Sequence, residues 1–438
     1  MTAIRRIVLV FLVFGMGLKP VSGWTQVDIT VTRTVIQRIP LAVVGLPPVL
    51  LETGGADLGA HARSILMDDL EFSMMFEVLP PAFLPFEARE IRLGKEETVL
   101  PSLNSLKVQA MVSAELTKEG EDLILEGRIY NVARGTFLGG KRYIGNAKAL
   151  RTMVHRLADE VVLRLTGERG IATSRIAYAS RGSHASELYV MDYDGHNPVL
   201  LTGNRSINLS PRFSPDGTQL AYTSYRDGNP DLYLLNLATG QRDKISALPG
   251  LNIAPAWSPD GEWLALSLSK DGGTNLYLMR PMGRGLHRLT NSMGISVSAS
   301  FSPNGRQVAF TSDRGGAPQI YVIDIEGTNL QRLTFEGNYN ASPKWSPRGD
   351  KIAYISNQGG DGFQVYLMNS DGSGVQQMTT LGTNEDPSWS PDGRHLVFSS
   401  TRGGRGGQKN IYVMHADGSG QRQLTQDGFK NFAPDWSY

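Results

Sequence analysis

From residue 174 to the end of the chain, short apolar runs alternate with polar residues at a period of two, and the same order of runs keeps returning. Gln219–Ser224, Trp263–Ser267, Gln307–Ser312, Lys351–Ser356 and His395–Ser400 each follow one turn signature. A Gly-rich polar loop separates each from a second alternating run: Asp231–Leu235, Asn275–Met279, Gln319–Ile323, Gln364–Met368 and Asn410–Met414. Such alternation, with Tyr, Val and Ile on one side, is the pattern of a half-buried strand. The signature before each unit reads Phe213-Ser-Pro-Asp-Gly217, Trp257-Ser-Pro-Asp-Gly261, Phe301-Ser-Pro-Asn-Gly305, Trp345-Ser-Pro-Arg-Gly349 and Trp389-Ser-Pro-Asp-Gly393, neighbours being 44 residues apart. Pro fixes φ at the first central position of a tight turn and Gly supplies the positive φ that ends it. A short edge strand ending in Leu-Thr (Leu289-Thr290, Leu333-Thr334, Leu424-Thr425) completes four strands per unit.

A period of this length with four strands per unit predicts a β-propeller of antiparallel blades. Ser174–Ser180 looks like a second strand with no first strand before it, and Phe432–Ser437 like a first strand with nothing after it. The two halves complete one blade, so the C-terminal strand closes a six-bladed ring over residues 171–438 and leaves no open sheet edge.

Residues 24–170 lack the period and predict a small α/β domain. Val27, Ile29 and Val31 alternate with polar residues as a strand, and Ile39–Val44 is a second short apolar run. Asp57 is placed to cap a helix running through Phe76. Leu106–Val112, Leu123–Val132 and Phe137–Ile144 read as strands. Leu150, Met153, Val154, Leu157, Val161 and Leu165 keep helical spacing, with Gly167 positioned to end that helix. Before this domain, Arg5 and Arg6 precede an apolar run of 12 residues, Ile7–Leu18, and the small residues Val21–Gly23. That is the layout of a cleaved secretory signal over residues 1–23, too short to span a bilayer.

The formal net charge of +1 gives no electrostatic case for nucleic acid or for an anionic membrane surface. Without Arg5, Arg6 and Lys19, the 43 basic residues fall to 40 against 42 acidic. No cysteine is present, which excludes disulfides, thiolate metal sites and a thioether lipid anchor. Catalytic motifs are absent: there is no Gly-x-Ser-x-Gly elbow, no His-Glu-x-x-His and no phosphate loop. His61 and His155 fall on the two predicted helices as surface or packing residues. Asp192–Gly195 has a faint likeness to a calcium loop but lacks its later acidic ligands, and Asn369–Gly372 and His415–Gly418 stand at equivalent places, so it reads as a repeated turn. No cofactor and no metal are expected.

One polar ring stands out. Five residues before each key aromatic lie Asn208, Asn252, Asn340, Asn384 and Asn431, with Ser296 in the fourth blade. A Pro follows three positions later in every blade but the fourth, which has Ala299. These residues open the innermost strands and ring one mouth of the central channel. Either each Asn fastens its own loop by bonding the backbone, or the ring also offers amides and free backbone groups to a partner.

Taken together, the signal, the α/β domain and six Trp-Ser-Pro-Asp-Gly blades resemble the TolB family, the periplasmic propeller component of the Tol-Pal envelope system of Gram-negative bacteria. Leu165–Gly170 followed by Arg175–Tyr178 is similar to that family's domain junction, and Pro434–Tyr438 to its closing strand. The resemblance implies a non-catalytic, monomeric adaptor in the periplasm that supports outer-membrane integrity and envelope constriction at cell division. It implies binding of the peptidoglycan-associated lipoprotein at the channel mouth and of a TolA-like inner-membrane protein through the mature N-terminal segment, residues 24–35. Trp24, Val27, Ile29 and Val31 are the apolar positions of that segment. Some bacteriocins enter by the same channel in the family. The lipoprotein-contacting positions fall near Leu251 and Val297, apolar here where better-known members are polar. Neither nucleic acid nor direct membrane insertion is implied. Two other classes are weighed beside this one. A hydrolase would need a nucleophile elbow that neither domain carries. A peptidoglycan- or carbohydrate-binding module would need channel-facing aromatics, whereas the repeated Trp and Tyr suit packing between blades.

Overall fold

The computed structural model describes residues 38–438 apart from 51–56, 90, 183–184, 361 and 405–406. The expected signal over residues 1–23 and the segment bearing Trp24, Val27, Ile29 and Val31 lie outside the described residues.

The α/β unit runs β1 (Ile39–Gly45), α1 (Leu58–Phe72), β2 (Phe76–Val78), α2 (Phe86–Arg89), α3 (Leu100–Ser105), β3 (Ala110–Glu119), β4 (Asp122–Asn131), β5 (Thr136–Gly145) and α4 (Leu150–Thr166). Its sheet has the order β2-β1-β3-β4-β5, with β1 parallel to both neighbours and β3-β4-β5 an antiparallel meander. Asp57 caps α1, its Oδ1 accepting the Gly59 and Ala60 amides at 2.9 and 3.3 Å. Gly167, at φ 76°, ends α4. Two boundaries differ from the sequence expectation. The first helix stops at Phe72, because Ser73 closes it and Met74 turns to φ 61°, which sends Phe76 into β2. The strand read from Leu106 begins only at Ala110, because Pro101 starts a short helix and Lys107, at φ 60°, ends it. One face of the sheet packs on α1 and α4, and the core there continues without a break into Ile176, Tyr178, Tyr193 and Trp436 of the propeller. Gly127 lets α4 approach β4, since a Cβ there would sit 2.4 Å from Leu157 Cδ1.

Six four-stranded antiparallel sheets follow. The C-terminal strand Lys430–Ser437 pairs antiparallel with Arg175–Arg181, matching Asn431 to Ser180 and Trp436 to Ile176. The first blade thus takes its innermost strand from the end of the chain, and the ring is closed as the half-blades require. The Leu-Thr expectation needs adjustment: most outer strands are only two residues long, such as His287–Arg288 and Gln331–Arg332, and stop before Leu-Thr. The threonine takes over the pairing. Thr290, Thr334, Thr379 and Thr425 each accept an amide of the third strand through Oγ1 at 2.9 Å.

A repeated backbone device shapes the channel. Ser210, Ala254, Ser298, Ser342, Asp386 and Ala433, the second residue after each Asn or Ser of the ring, all hold φ between 51° and 57°. Each sits where the pairing of first and second strand shifts register. The blade with Ala299 in place of Pro adopts the same φ, so the bulge belongs to the blade geometry and not to the proline.

Candidate protein-docking face

The channel has two unlike ends. At the end formed by the Ser-Pro-Asp-Gly turns, the α/β unit is seated on blades one, five and six. Phe72 stacks on His395 with ring centroids 4.1 Å apart, and the Arg422 guanidinium lies 4.7 Å above the Phe72 ring. Glu168 accepts both Arg394 terminal nitrogens, at 2.7 and 3.1 Å. That pairing holds the Glu168 carboxyl below the usual glutamate range. The turns themselves form as read: Ser302 Oγ donates to Asn304 Oδ1 at 2.7 Å, and the Gly305 amide closes on the Ser302 carbonyl at 2.8 Å.

At the other end, the loops from fourth to first strand form a mouth that no described element covers. Asn208, Asn252, Ser296, Asn340, Asn384 and Asn431 are all fully buried there. Their side chains turn inward and fasten the loops. Asn252 Nδ2 donates to the Leu248 carbonyl at 2.7 Å while its Oδ1 accepts Ser246 Oγ at 2.6 Å. Asn340 and Asn384 bond Gln319 and Gln364 Oε1, both at 2.8 Å, and the carbonyls of Glu336 and Leu381. Asn208 reaches the Ser186 carbonyl at 2.9 Å, and Asn431 reaches Asp427 at 2.8 Å. Ser296 meets Ser312 and Arg314 hydroxyl and guanidinium groups at 3.3 and 3.2 Å. Of the two readings of the ring, the geometry favours the fastening one: every Asn Nδ2 bonds within the fold, although Oδ1 of Asn340 and of Asn431 is buried without a partner among the described residues. The ring positions the mouth and does not present itself.

The alternation of the strand hands the outward face to the flanking residues. Immediately before the ring stand Ile207, Leu251, Ile295 and Tyr339, all exposed, with Leu251 at 36% and Ile295 at 49%. Immediately after it stand Leu209, Ile253, Val297 and Phe432, half-buried at the channel rim. The same loops expose Met293, Phe335, Leu381 and Phe429, Met293 at 98%. Leu251 and Val297 thus lie on one apolar rim, as positions before and after the ring. The other members were missed when the sequence was read for polar residues; the signal was the apolar residue preceding the ring in four consecutive blades.

Deeper in the channel, the bulge residues line a narrow cavity of ≈ 70 Å³ with Arg212 and Lys344. Beyond it a space of ≈ 280 Å³ is bordered by Arg212, Trp257, Lys344, Asp435 and Trp436. Asp435 Oδ1 lies 3.5 Å from Arg212 and 3.9 Å from Lys344, so one carboxylate ties cations of blades two and five. Burial and the neighbouring Arg212 push the Lys344 ammonium down to about 7. The recurrent Trp residues border this path while their polar edges bond within the fold. Trp257 and Trp389 donate their indole N–H to the Arg212 and Lys344 carbonyls of the preceding blade, at 3.2 and 2.9 Å. Tyr222 and Tyr233 stack inside a blade at 5.7 Å. Among the described residues, no helix is long and apolar enough to cross a membrane.

Comparison with known proteins places this architecture. The sequence model of the TolB beta propeller domain matches residues 162–438, and that of the TolB amino-terminal domain matches residues 27–138. The Tol-Pal system protein TolB of Desulfosudis oleivorans is 39% identical over 227 residues, half of each chain. That of Geobacter sulfurreducens is 43% identical over 170 residues, 38% of this chain and 39% of its own. The matched stretch thus spans half or less of these curated relatives. The crystal structure of TolB from Acinetobacter baumannii superposes with a TM-score of 0.76 at 29% identity, covering 92% of this chain and 97% of its own. Both family models match, the amino-terminal one before the propeller one, and the chain belongs to the TolB family.

Proposed function

We propose that this chain is a non-catalytic periplasmic adaptor of the Tol-Pal system that docks the peptidoglycan-associated lipoprotein on the propeller mouth opposite the α/β unit. The observation that carries the reading is the apolar rim of Ile207, Leu251, Ile295 and Tyr339, held by fully buried amides on the end of the channel away from the α/β unit. An apolar centre on preorganised loops suits a protein partner, because little ordering entropy opposes binding. Membership of a family whose curated members are named Tol-Pal system proteins supports the assignment of the system. The N-terminal segment, residues 24–35, would engage a TolA-like inner-membrane protein, and bacteriocins that use the same system would enter at the same mouth.

Calorimetry of the purified protein with the lipoprotein of its own organism tests this reading. Leu251→Asp combined with Val297→Asp should abolish binding while circular dichroism stays unchanged. Binding retained in that variant would move the site to another surface. Failure of the parent to bind would favour the carbohydrate-module reading, for which Tyr339, Phe335 and Phe429 are exposed rim aromatics available for stacking on a sugar.

A further inference from the structure

We propose that His155, Asp192 and Asp194 form a site for one divalent transition-metal cation of the zinc class, which clamps α4 to the first blade. His155 projects from the middle of α4 onto the turn between the third and fourth strands of that blade, where Asp192 and Asp194 flank the buried Tyr193. One ligand atom from each of the three lies within 4.8 Å of the others. The same turn recurs in blades three to six, but here a helix covers it.

The chemistry of His155 distinguishes the cluster from an ordinary acidic turn. The ring is buried, with 3% of its surface accessible. Its Nδ1 stands 2.7 Å from Oδ2 of the equally buried Asp69, whose Oδ1 accepts the Tyr193 hydroxyl. With Nδ1 donating to Asp69, the neutral His155 ring carries its lone pair on Nε2. That atom is buried, has no hydrogen-bond partner, and lies 3.9 Å from Asp194 Oδ2. A carboxylate holding the far nitrogen while the near one faces a second carboxylate is the outer shell of a metal-binding histidine. One imidazole with two carboxylates favours zinc-like cations over calcium or magnesium, which take oxygen ligands.

Charge points the same way. Asp69, Asp192 and Asp194 face the guanidinium of Arg151, which pairs with Asp194 Oδ2, and the imidazoles of His155 and His196. Arg422 is engaged over the Phe72 ring. Asp194 Oδ1 accepts the His196 amide and meets its Nδ1, both at 3.2 Å, and Asp192 Oδ2 accepts Asn197 Nδ2 at 2.7 Å. A cation entering the cluster displaces Arg151 and Asn197 and draws the two aspartates in to the ligand spacing of a tetrahedral site, about 3.4 Å. The acidic pair Asp324 and Glu326 in the fourth blade is a contrast. There Asp324 is held by Gln307 and Asn329 at 3.1 and 2.6 Å, and among the described residues no histidine joins it in a cluster.

The test uses the whole purified protein, treated with chelator, dialysed, and titrated with Zn²⁺ by calorimetry. One equivalent should bind and the thermal midpoint should rise. Asp192→Asn, on the outer side of the cluster, leaves Asp69, His155 and Tyr193 in place and should weaken binding about tenfold or more, with the midpoint no longer responding. His155→Gln should do the same. X-ray absorption of the loaded protein should report one imidazole among light-atom ligands. Absence of binding at tens of micromolar would overturn the proposal. Stoichiometric binding that both variants retain, or equal binding of Ca²⁺, would overturn it too.

Discussion

Lys344 is a charge the propeller holds at a cost, and replacing it by Met should stabilise the fold. The ammonium sits at the channel constriction with 15% of its side chain accessible and a carboxylate only at 3.9 Å. Its titration falls from the ordinary 10.5 to about 7, chiefly through burial and then through Arg212. The gap between those values sets a ceiling of about 5 kcal/mol on the penalty for carrying the charge. Water reaching the constriction and relaxation of the channel bring the effective figure to about 2 kcal/mol. The folded state binds fewer protons than the unfolded chain between pH 7 and 10.5. The penalty is therefore full below pH 7 and fades as pH rises toward 10.5. Asp435 does not lose its partners in the variant: it keeps Arg212 at 3.5 Å, the Phe213 amide at 2.9 Å and Ser388 Oγ at 3.3 Å. Urea midpoints of parent and Lys344→Met, taken at pH 6 and pH 9, should show the larger gain at pH 6. A variant less stable than the parent at pH 6 would refute the reasoning, because the ammonium would then be contributing more than its burial costs.

Phe72→Ala removes the ring that His395, Trp436 and Arg422 pack around. It should cost about 3 kcal/mol, read as a lower thermal midpoint with faster limited proteolysis between the α/β unit and the propeller. Ala254→Gly should be neutral or stabilising by up to about 1 kcal/mol, since the residue already holds φ 54°, whereas Ala256→Gly in the same strand should destabilise; the comparison is read by urea midpoints.

The blades were readable because their turns demand particular residues. Pro and Gly at fixed places in Ser-Pro-Asp-Gly dictate the turn, and the alternation after it dictates the strands. Closure by Phe432–Ser437 followed from counting half-blades. The six bulges were not readable: Ser, Ala and Asp occupy positions where the backbone prefers Gly, and only the closed ring imposes φ near 54° on them. Nor was the direction of the Asn ring. A polar residue at a strand start can face water or fill a blade, and its own type does not decide; the apolar neighbours on either side did. The end of α1 was hidden for a third reason. Phe72 continues the helical pattern of its own segment, but its ring is matched to His395, more than three hundred residues away in sequence.

The departures from the repeat carry the functional information. On the turn side, Arg348 replaces the Asp of the signature in the fifth blade and reaches both the Asp392 carbonyl, at 2.7 Å, and Glu168, at 3.9 Å. His395 in the sixth blade likewise departs from its counterparts Gln219, Trp263, Gln307 and Lys351, and it too meets the α/β unit. Blades two to four lack Arg348 and His395 equivalents, and among the described residues the unit's polar and ring contacts fall on blades one, five and six. The same logic applied to the opposite mouth locates the proposed partner. The position before the ring is apolar in blades two to five and becomes Thr383 and Lys430 in blades six and one. A docked protein would then lie off the channel axis, over blades two to five. Ile295→Asp should weaken lipoprotein binding by tenfold or more, about 1.4 kcal/mol, while Thr383→Asp should change it little. Equal losses from the two variants, measured by calorimetry side by side, would mean that the partner is centred on the channel and that the apolar arc does not define its footprint.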